Sequence, residues 1–249
     1  MQAVILLGGK GTRLASLYPD RPKALVPVAG RPFIEWQVDW LRQGGVTDIH
    51  LAAGHMAEQI QKWAAQQDQI TVSEEPQPLG TGGALTCISS FLRDDHFLLV
   101  NGDTLLPQLD LHRMTRLATD DAKDWNLIIA VTRIESAGRF GTVEFDSTGL
   151  IHAFREKAER QAGWINGGVY WIPRLCLNTL KPDTFCSLET DLFPQWAAEQ
   201  RLQACPSEPP LLDMGTPDGL VEMAAWIESA EARSIMSVFR QYIKESPTL

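Results

Sequence analysis

The sequence predicts an α/β protein: a Rossmann-like, doubly wound, mostly parallel sheet carrying a small β-rich lobe. Three observations predict it. The first half alternates strand-length apolar runs with segments of helical periodicity. Glycine-bearing loops with charged residues follow directly on two of those strands, where open α/β sheets bind ligands. The second half changes to short strands separated by turn residues. At 249 residues, 44% hydrophobic and 21% charged, the chain can bury a full core. One domain over 1–249 is expected, with one lobe at about 1–135, a β-rich lobe at about 136–220 and a C-terminal helix at about 220–242.

Taken in order, Ala3–Leu7 is a continuous apolar run of strand length, followed at once by Gly8-Gly9-Lys10-Gly11. Phe33, Ile34, Trp36, Val38, Trp40 and Leu41 follow helical spacing, and Gly44-Gly45 stops that helix. Ile49–Ala53 reads as a strand, Glu58–Ala65 as a helix and Ile70–Val72 as a strand. Gly83–Leu92 reads as a helix, Phe97–Val100 as a buried strand, Asp110–Leu117 as a helix and Leu127–Val131 as a strand. Thr142–Phe145, Leu150–Phe154 and Gly168–Ile172 are the short strands of the β-rich lobe, with a turn at Asp146-Ser147-Thr148-Gly149. A helix starts near Ser187, where Glu189 and Asp191 favour its positive end. Leu220–Tyr242 reads as one long helix.

A net charge of −9 argues against nucleic acid or an anionic membrane as partner, since both want a basic face. A phosphorylated small molecule needs only a few local cations. The four cysteines lie far apart, with no CxxC pair, and read as reduced structural thiols. The five histidines show no ligand spacing, and the eight tryptophans read mainly as packing, Trp164 included. No run approaches the roughly 20 apolar residues of a membrane helix. The opening Met1-Gln2 and its short apolar run lack the features of a signal segment, so a cytoplasmic location is expected. A homodimer is one of the assemblies left open.

The segment Leu7-Gly8-Gly9-Lys10-Gly11-Thr12-Arg13 carries the strongest chemistry. Glycines after a buried strand let backbone N–H groups crowd an anion. It is not a P-loop, because GxxxxGK followed by Ser or Thr is absent, and Leu14 stands where a dinucleotide fingerprint needs its last glycine. Arg13 offers a planar fork for two phosphate oxygens. Lys23, between Pro22 and Pro27, offers a point charge on a stiffened segment. Asp103, after Asn101-Gly102, and Asp213, before Met214-Gly215, both follow short apolar runs. Mg²⁺ takes one or two carboxylates plus substrate phosphates, which this pair would supply.

LLGGKGTRL…RPKALVPVAGRPFIEW resembles the N-terminal signature of the sugar-phosphate nucleotidylyltransferases. The resemblance continues through LGTGGAL, LLVNGDTLL, FGTV, FREK, INGGVYWI and LLDMGTPDGL, over roughly residues 3–221. It implies a magnesium-dependent transfer of a nucleotidyl group from an NTP to a sugar 1-phosphate, with pyrophosphate leaving. It further implies that Arg13 binds the leaving pyrophosphate, that Lys23 bridges the sugar phosphate and the α-phosphate, and that Asp103 and Asp213 are the metal ligands. Leu7, Gly8, Gly9, Gly11, Thr12, Glu75, Gly80, Thr81 and Gly102 match nucleotide-binding positions. Gly141, Glu156, Lys157, Asn166 and Gly168 match sugar-phosphate positions. Ala24 and Ala158 stand where the family pattern has proline.

By the motif, Glu75 and Gly80 face the hydrogen-bonding edge of the base. A carboxylate can only accept hydrogen bonds, and guanine presents two adjacent donors, so GTP is expected. EEPQPL, RFGTV and INGGVYW most resemble the short guanylyltransferases acting on D-glycero-D-manno-heptose 1-phosphate. Mannose 1-phosphate remains a competitor, as do an amino-sugar uridylyltransferase and a non-catalytic nucleotide-sugar sensor.

Overall fold

Apolar residues on the first strand alternate between two cores, so the sheet must be covered on both faces. Ala3, Ile5 and Leu7 belong to one buried cluster and Val4 to the other. The computed structural model describes residues 1–118, 125–135, 141–155 and 162–235.

Strand β1 (Gln2–Leu7) runs into the glycine loop, a 3-10 turn at Lys23–Leu25 and a small hairpin of β2 (Pro27–Val28) and β3 (Arg31–Pro32). Then come α1 (Phe33–Gln43), β4 (Asp48–Ala53), α2 (Ala57–Ala64), β5 (Ile70–Glu74), α3 (Gly80–Ile88) and β6 (His96–Asn101). The chain continues through β7 (Thr104–Leu105), α4 (Leu111–Thr115), β8 (Leu127–Ile134), β9 (Thr142–Phe145), β10 (Ile151–Arg155) and β11 (Gly163–Pro173). It ends with a helical turn at Leu188–Leu192 leading into α5 (Phe193–Ala198), then β12 (Leu202–Ser207), β13 (Leu212–Asp213), α6 (Pro217–Ile227) and α7 (Ala230–Ile235).

The parallel part of the sheet runs β6-β1-β4-β5. After β1 the chain builds outward through β4 and β5, then returns to place β6 on the other side of β1, which makes a topological switch point between β1 and β6. Phe33, Trp36 and Leu41 of α1, with Met223 and Ile227 of α6, cover one face. Leu85 and Ile88 of α3, with Leu188, Phe193 and Trp196, cover the other. These faces realise the α/β, doubly wound expectation.

Three of the elements named from the sequence differ in the structure. The strand expected at Gly168–Ile172 is the eleven-residue β11, which pairs antiparallel with β6 on one edge and β8 on the other. Its register shifts between Asn166 and Tyr170, so Gly167 and Gly168 lie at a bulge inside the strand. Through β11, strands β9 and β10 join the same nine-stranded sheet. Helix α3 begins at Gly80 rather than Gly83, because its early N–H groups find a tertiary acceptor: Cys186 O takes Gly82 N–H at 2.9 Å and Gly83 N–H at 3.1 Å. The single helix expected over Leu220–Tyr242 is two. Thr216 caps α6 by accepting from Gly219 N–H, and Ser229 starts α7 by accepting from Ala232 N–H at 3.1 Å. The remainder of that stretch, 236–242, lies outside the described residues.

Among the described residues no helix is long and apolar enough to cross a membrane. All four cysteines are free thiols.

Candidate active site

A cleft of about 620 Å³ opens at the carboxyl ends of β1 and β6, on the switch point. It brings together Arg13, Lys23, Asp103 and Asp213, the glycine loop with Leu7 and Thr12, and Glu75, Gly80, Thr81 and Gly102. All the nucleotide, cation and carboxylate positions that the sequence singles out therefore line one space.

Beyond Gly8 and Gly9 the chain closes a helical turn, with Leu14 N–H donating to Gly11 O at 2.9 Å and Ala15 N–H at 3.0 Å. That turn leaves Thr12 and Arg13 exposed on the cleft. The Lys23 turn is closed by Val26 N–H donating to Lys23 O at 3.1 Å, with Ala24 buried, so it forms without the proline the family pattern has at that position.

Lys23 Nζ donates to Asp103 Oδ2 at 2.6 Å, so this cation and carboxylate neutralise each other. Asp103 sits in the tight turn between β6 and β7. The β7–β13 pairing sets Asp213 opposite Thr104, and Met214 N–H donates to Asp103 O at 3.0 Å. Two aspartates distant in sequence are thus held side by side by backbone bonds. Gly215 N–H fixes Asp213 Oδ1 at 2.7 Å. Among the described residues no group of three or more His, Cys, Asp or Glu side chains could cage a metal by itself. Two hard oxygen donors beside a phosphate-sized space are instead the set that Mg²⁺ shares with substrate phosphates.

Sequence reasoning missed what stands behind this turn. Gln37, fully buried on α1, donates from Nε2 to Asn101 O and Thr104 O, both at 2.8 Å, and so braces the loop bearing Asp103. Its signal was available: a polar residue within an otherwise apolar stripe, four residues after Phe33 and four before Leu41.

Glu75 directly follows β5. Its N–H donates to Ala53 O at 2.8 Å, and its Oε1 accepts from Leu79 N–H at 3.0 Å. Its Oε2 lies over Gly8, where a side chain's Cβ would stand only 2.8 Å away. Burial pushes this carboxyl above the usual range, partly offset by the Leu79 N–H. The Thr81 hydroxyl is already engaged, donating to Glu189 Oε2 at 2.9 Å and accepting from Leu188 N–H at 2.8 Å. It ties α3 to the helix that follows Ser187.

The sugar-side positions stand differently. Glu156, Lys157 and Ala158 lie outside the described residues. Gly141, Asn166 and Gly168 do not line the cleft. Asn166 is spent within the chain: its Oδ1 accepts from Gly168 N–H at 2.9 Å and its Nδ2 donates to Tyr170 Oη at 2.9 Å, which shapes the bulge in β11. Trp164 packs on Phe145 with ring centroids 5.5 Å apart, consistent with a packing role.

Comparison with known proteins places the chain in a family. The family model described as "Nucleotidyl transferase" matches residues 2–230. A D-glycero-alpha-D-manno-heptose 1-phosphate guanylyltransferase of Campylobacter jejuni is 32% identical over 221 residues, 88% of this chain and 96% of that protein. A mannose-1-phosphate guanyltransferase of Schizosaccharomyces pombe is 35% identical over 229 residues, 87% of this chain but 61% of that longer protein. Among solved structures, HddC from Yersinia pseudotuberculosis, determined alone and with GMP-PN, superimposes with a TM-score of 0.80 at 27% identity, over 91% of this chain and 99% of that one. This chain belongs to the nucleotidyl transferase family.

Proposed function

We propose that this chain transfers a guanylyl group from GTP to a sugar 1-phosphate, with D-glycero-D-manno-heptose 1-phosphate as the acceptor, releasing pyrophosphate. The observation that carries the reading is the convergence of Arg13, Lys23, Asp103 and Asp213 in one cleft at the sheet's switch point. A sugar phosphate oxygen, already ionised, attacks the α-phosphorus while pyrophosphate leaves in line, so the protein needs no nucleophile of its own. Arg13 takes the departing pyrophosphate. Lys23 exchanges its Asp103 partner for oxygens of the sugar phosphate and the α-phosphate, which frees that carboxylate. Asp103 and Asp213 would hold a magnesium ion, whose charge would offset that building on the phosphate oxygens.

Glu75 supports guanine. Its Oε1 accepts from Leu79 N–H, and the carboxylate keeps further lone pairs for guanine N1–H and N2–H, two adjacent donors. The heptose acceptor is supported by the match over nearly the full length of the Campylobacter enzyme. Mannose 1-phosphate is the second reading, favoured by the identity to the Schizosaccharomyces enzyme. Pyrophosphate release with Mg²⁺, each of four NTPs and heptose, mannose, glucose or amino-sugar 1-phosphates, tests both choices. Turnover confined to GTP and the heptose is expected. Preference for UTP or TTP would overturn the role of Glu75, and preference for mannose 1-phosphate would replace the acceptor.

A further inference from the structure

Five large apolar side chains stand exposed among the described residues: Leu17, Phe91, Leu175, Phe185 and Val221. Of these, Phe185 alone lines the cleft, with 68% of its surface open. An aromatic ring left uncovered beside a binding space offers a large apolar face at little conformational cost.

The segment that bears it is pinned. Cys186 N–H donates to Leu79 O at 2.8 Å, and Cys186 O accepts from Gly82 and Gly83. Ser187 then caps the next helix, its hydroxyl accepting from Thr190 N–H at 3.2 Å. These bonds hold Phe185 against the stretch that runs from Glu75 to α3. Gly80 makes the approach feasible. Its φ is +76°, and a Cβ there would stand 2.5 Å from Cys186 O and 3.3 Å from Phe185 Cε2. Pro78 and Ala84 add further apolar lining nearby. Phe185 therefore stands at the Glu75–Gly80 part of the cleft, whereas the charged groups gather around Lys23 and Asp103.

We propose that Phe185 is a base-binding residue, its ring covering one face of the purine whose edge meets Glu75. The inference rests on the nucleotide-binding reading of the cleft. The two residues divide the task. Glu75 selects among bases by hydrogen bonding, whereas Phe185 adds affinity for any flat base, because every base has a π-face.

Phe185→Ala and Phe185→Trp in the full chain test this, by binding of GTP and of inorganic tripolyphosphate and by KM for each substrate. Phe185→Ala is expected to weaken GTP binding about tenfold, with tripolyphosphate, kcat and the sugar 1-phosphate KM changed less than about twofold. Phe185→Trp should restore GTP affinity. Because the ring is mostly exposed, the melting temperature should not move. Unchanged GTP affinity, an equal loss for tripolyphosphate, or a rise confined to the sugar 1-phosphate KM would overturn the proposal. If the wild-type chain favours another NTP, the guanine reading fails, and the ratio of variant to wild-type affinity for that NTP still decides on stacking. A wild-type chain that binds no nucleotide overturns both.

Discussion

The β1–β6 region and the β8–β11 region use polar residues in opposite ways. In the first, parallel strands end together, and their loops turn charged groups and backbone N–H groups into a shared cleft. In the second, antiparallel pairing bends one long strand, and the polar groups of Asn166 and Tyr170 satisfy each other. The difference teaches where substitutions should be felt. Changes in the first region should alter rate or affinity with folding intact, and changes at the bulge should alter stability first.

The sharpest way to break that contrast is Arg13→Ala. Arg13 is exposed and buries little, so melting should hold while turnover falls on the order of 10²-fold, as for loss of one electrostatic stabiliser. A fall in melting temperature that matched the lost activity would erase the distinction. Asn166→Ala is the counterpart. It removes the acceptor of Gly168 N–H and one of the two side-chain partners of the fully buried Tyr170 hydroxyl, Asn101 being the other, and should cost about 1–3 kcal/mol of stability, read by urea denaturation. Stability within about 0.3 kcal/mol of wild type would make Asn166 a ligand-binding residue after all.

Glu75→Gln sharpens the comparison within the first region. It should cut the preference for GTP over UTP about tenfold, since an amide presents one acceptor and one donor. In the wild type, burial raises the Glu75 pKa. As pH falls through that raised value the carboxylate gains a proton and loses an acceptor, so GTP affinity should fall. The glutamine variant should lack this dependence. An unchanged base preference would remove Glu75 from base reading.

A separate effect comes with pH from His50, buried on β4 between the Thr71 and Ser73 hydroxyls, each at 2.8 Å. Burial holds its pKa down at about 4. The unfolded chain protonates near pH 6.5 and the folded one does not. Stability should therefore decline as pH falls from about 6.5 towards 4, by up to about 3 kcal/mol. His50→Gln should flatten that decline, and an equal slope in both proteins would exclude His50 as its source.

Much of the fold was legible because parallel, doubly covered strands are continuous apolar runs, as at Ala3–Leu7, and short glycine motifs mark their ends. The cleft was legible for the same reason, since Gly8–Arg13, Pro22–Lys23 and Gly102–Asp103 each keep loop and functional group together in sequence. What escaped depends on contacts between distant segments. The start of α3 is set by Cys186 and the brace on the Asp103 turn by Gln37. The length of β11 is set by its two partner strands, which a Gly-Gly pair in isolation does not reveal. Phe185 gave no motif signal, because only tertiary bonding brings it beside Gly80.

If the cleft transfers a nucleotidyl group by charge neutralisation, Lys23 stands at the middle of that chemistry. Pyrophosphate release by Lys23→Ala against wild type, with Mg²⁺, GTP and the heptose 1-phosphate, tests it most directly. A loss on the order of 10²-fold or more is expected, at a near-unchanged melting temperature. Near-normal turnover by Lys23→Ala would contradict it.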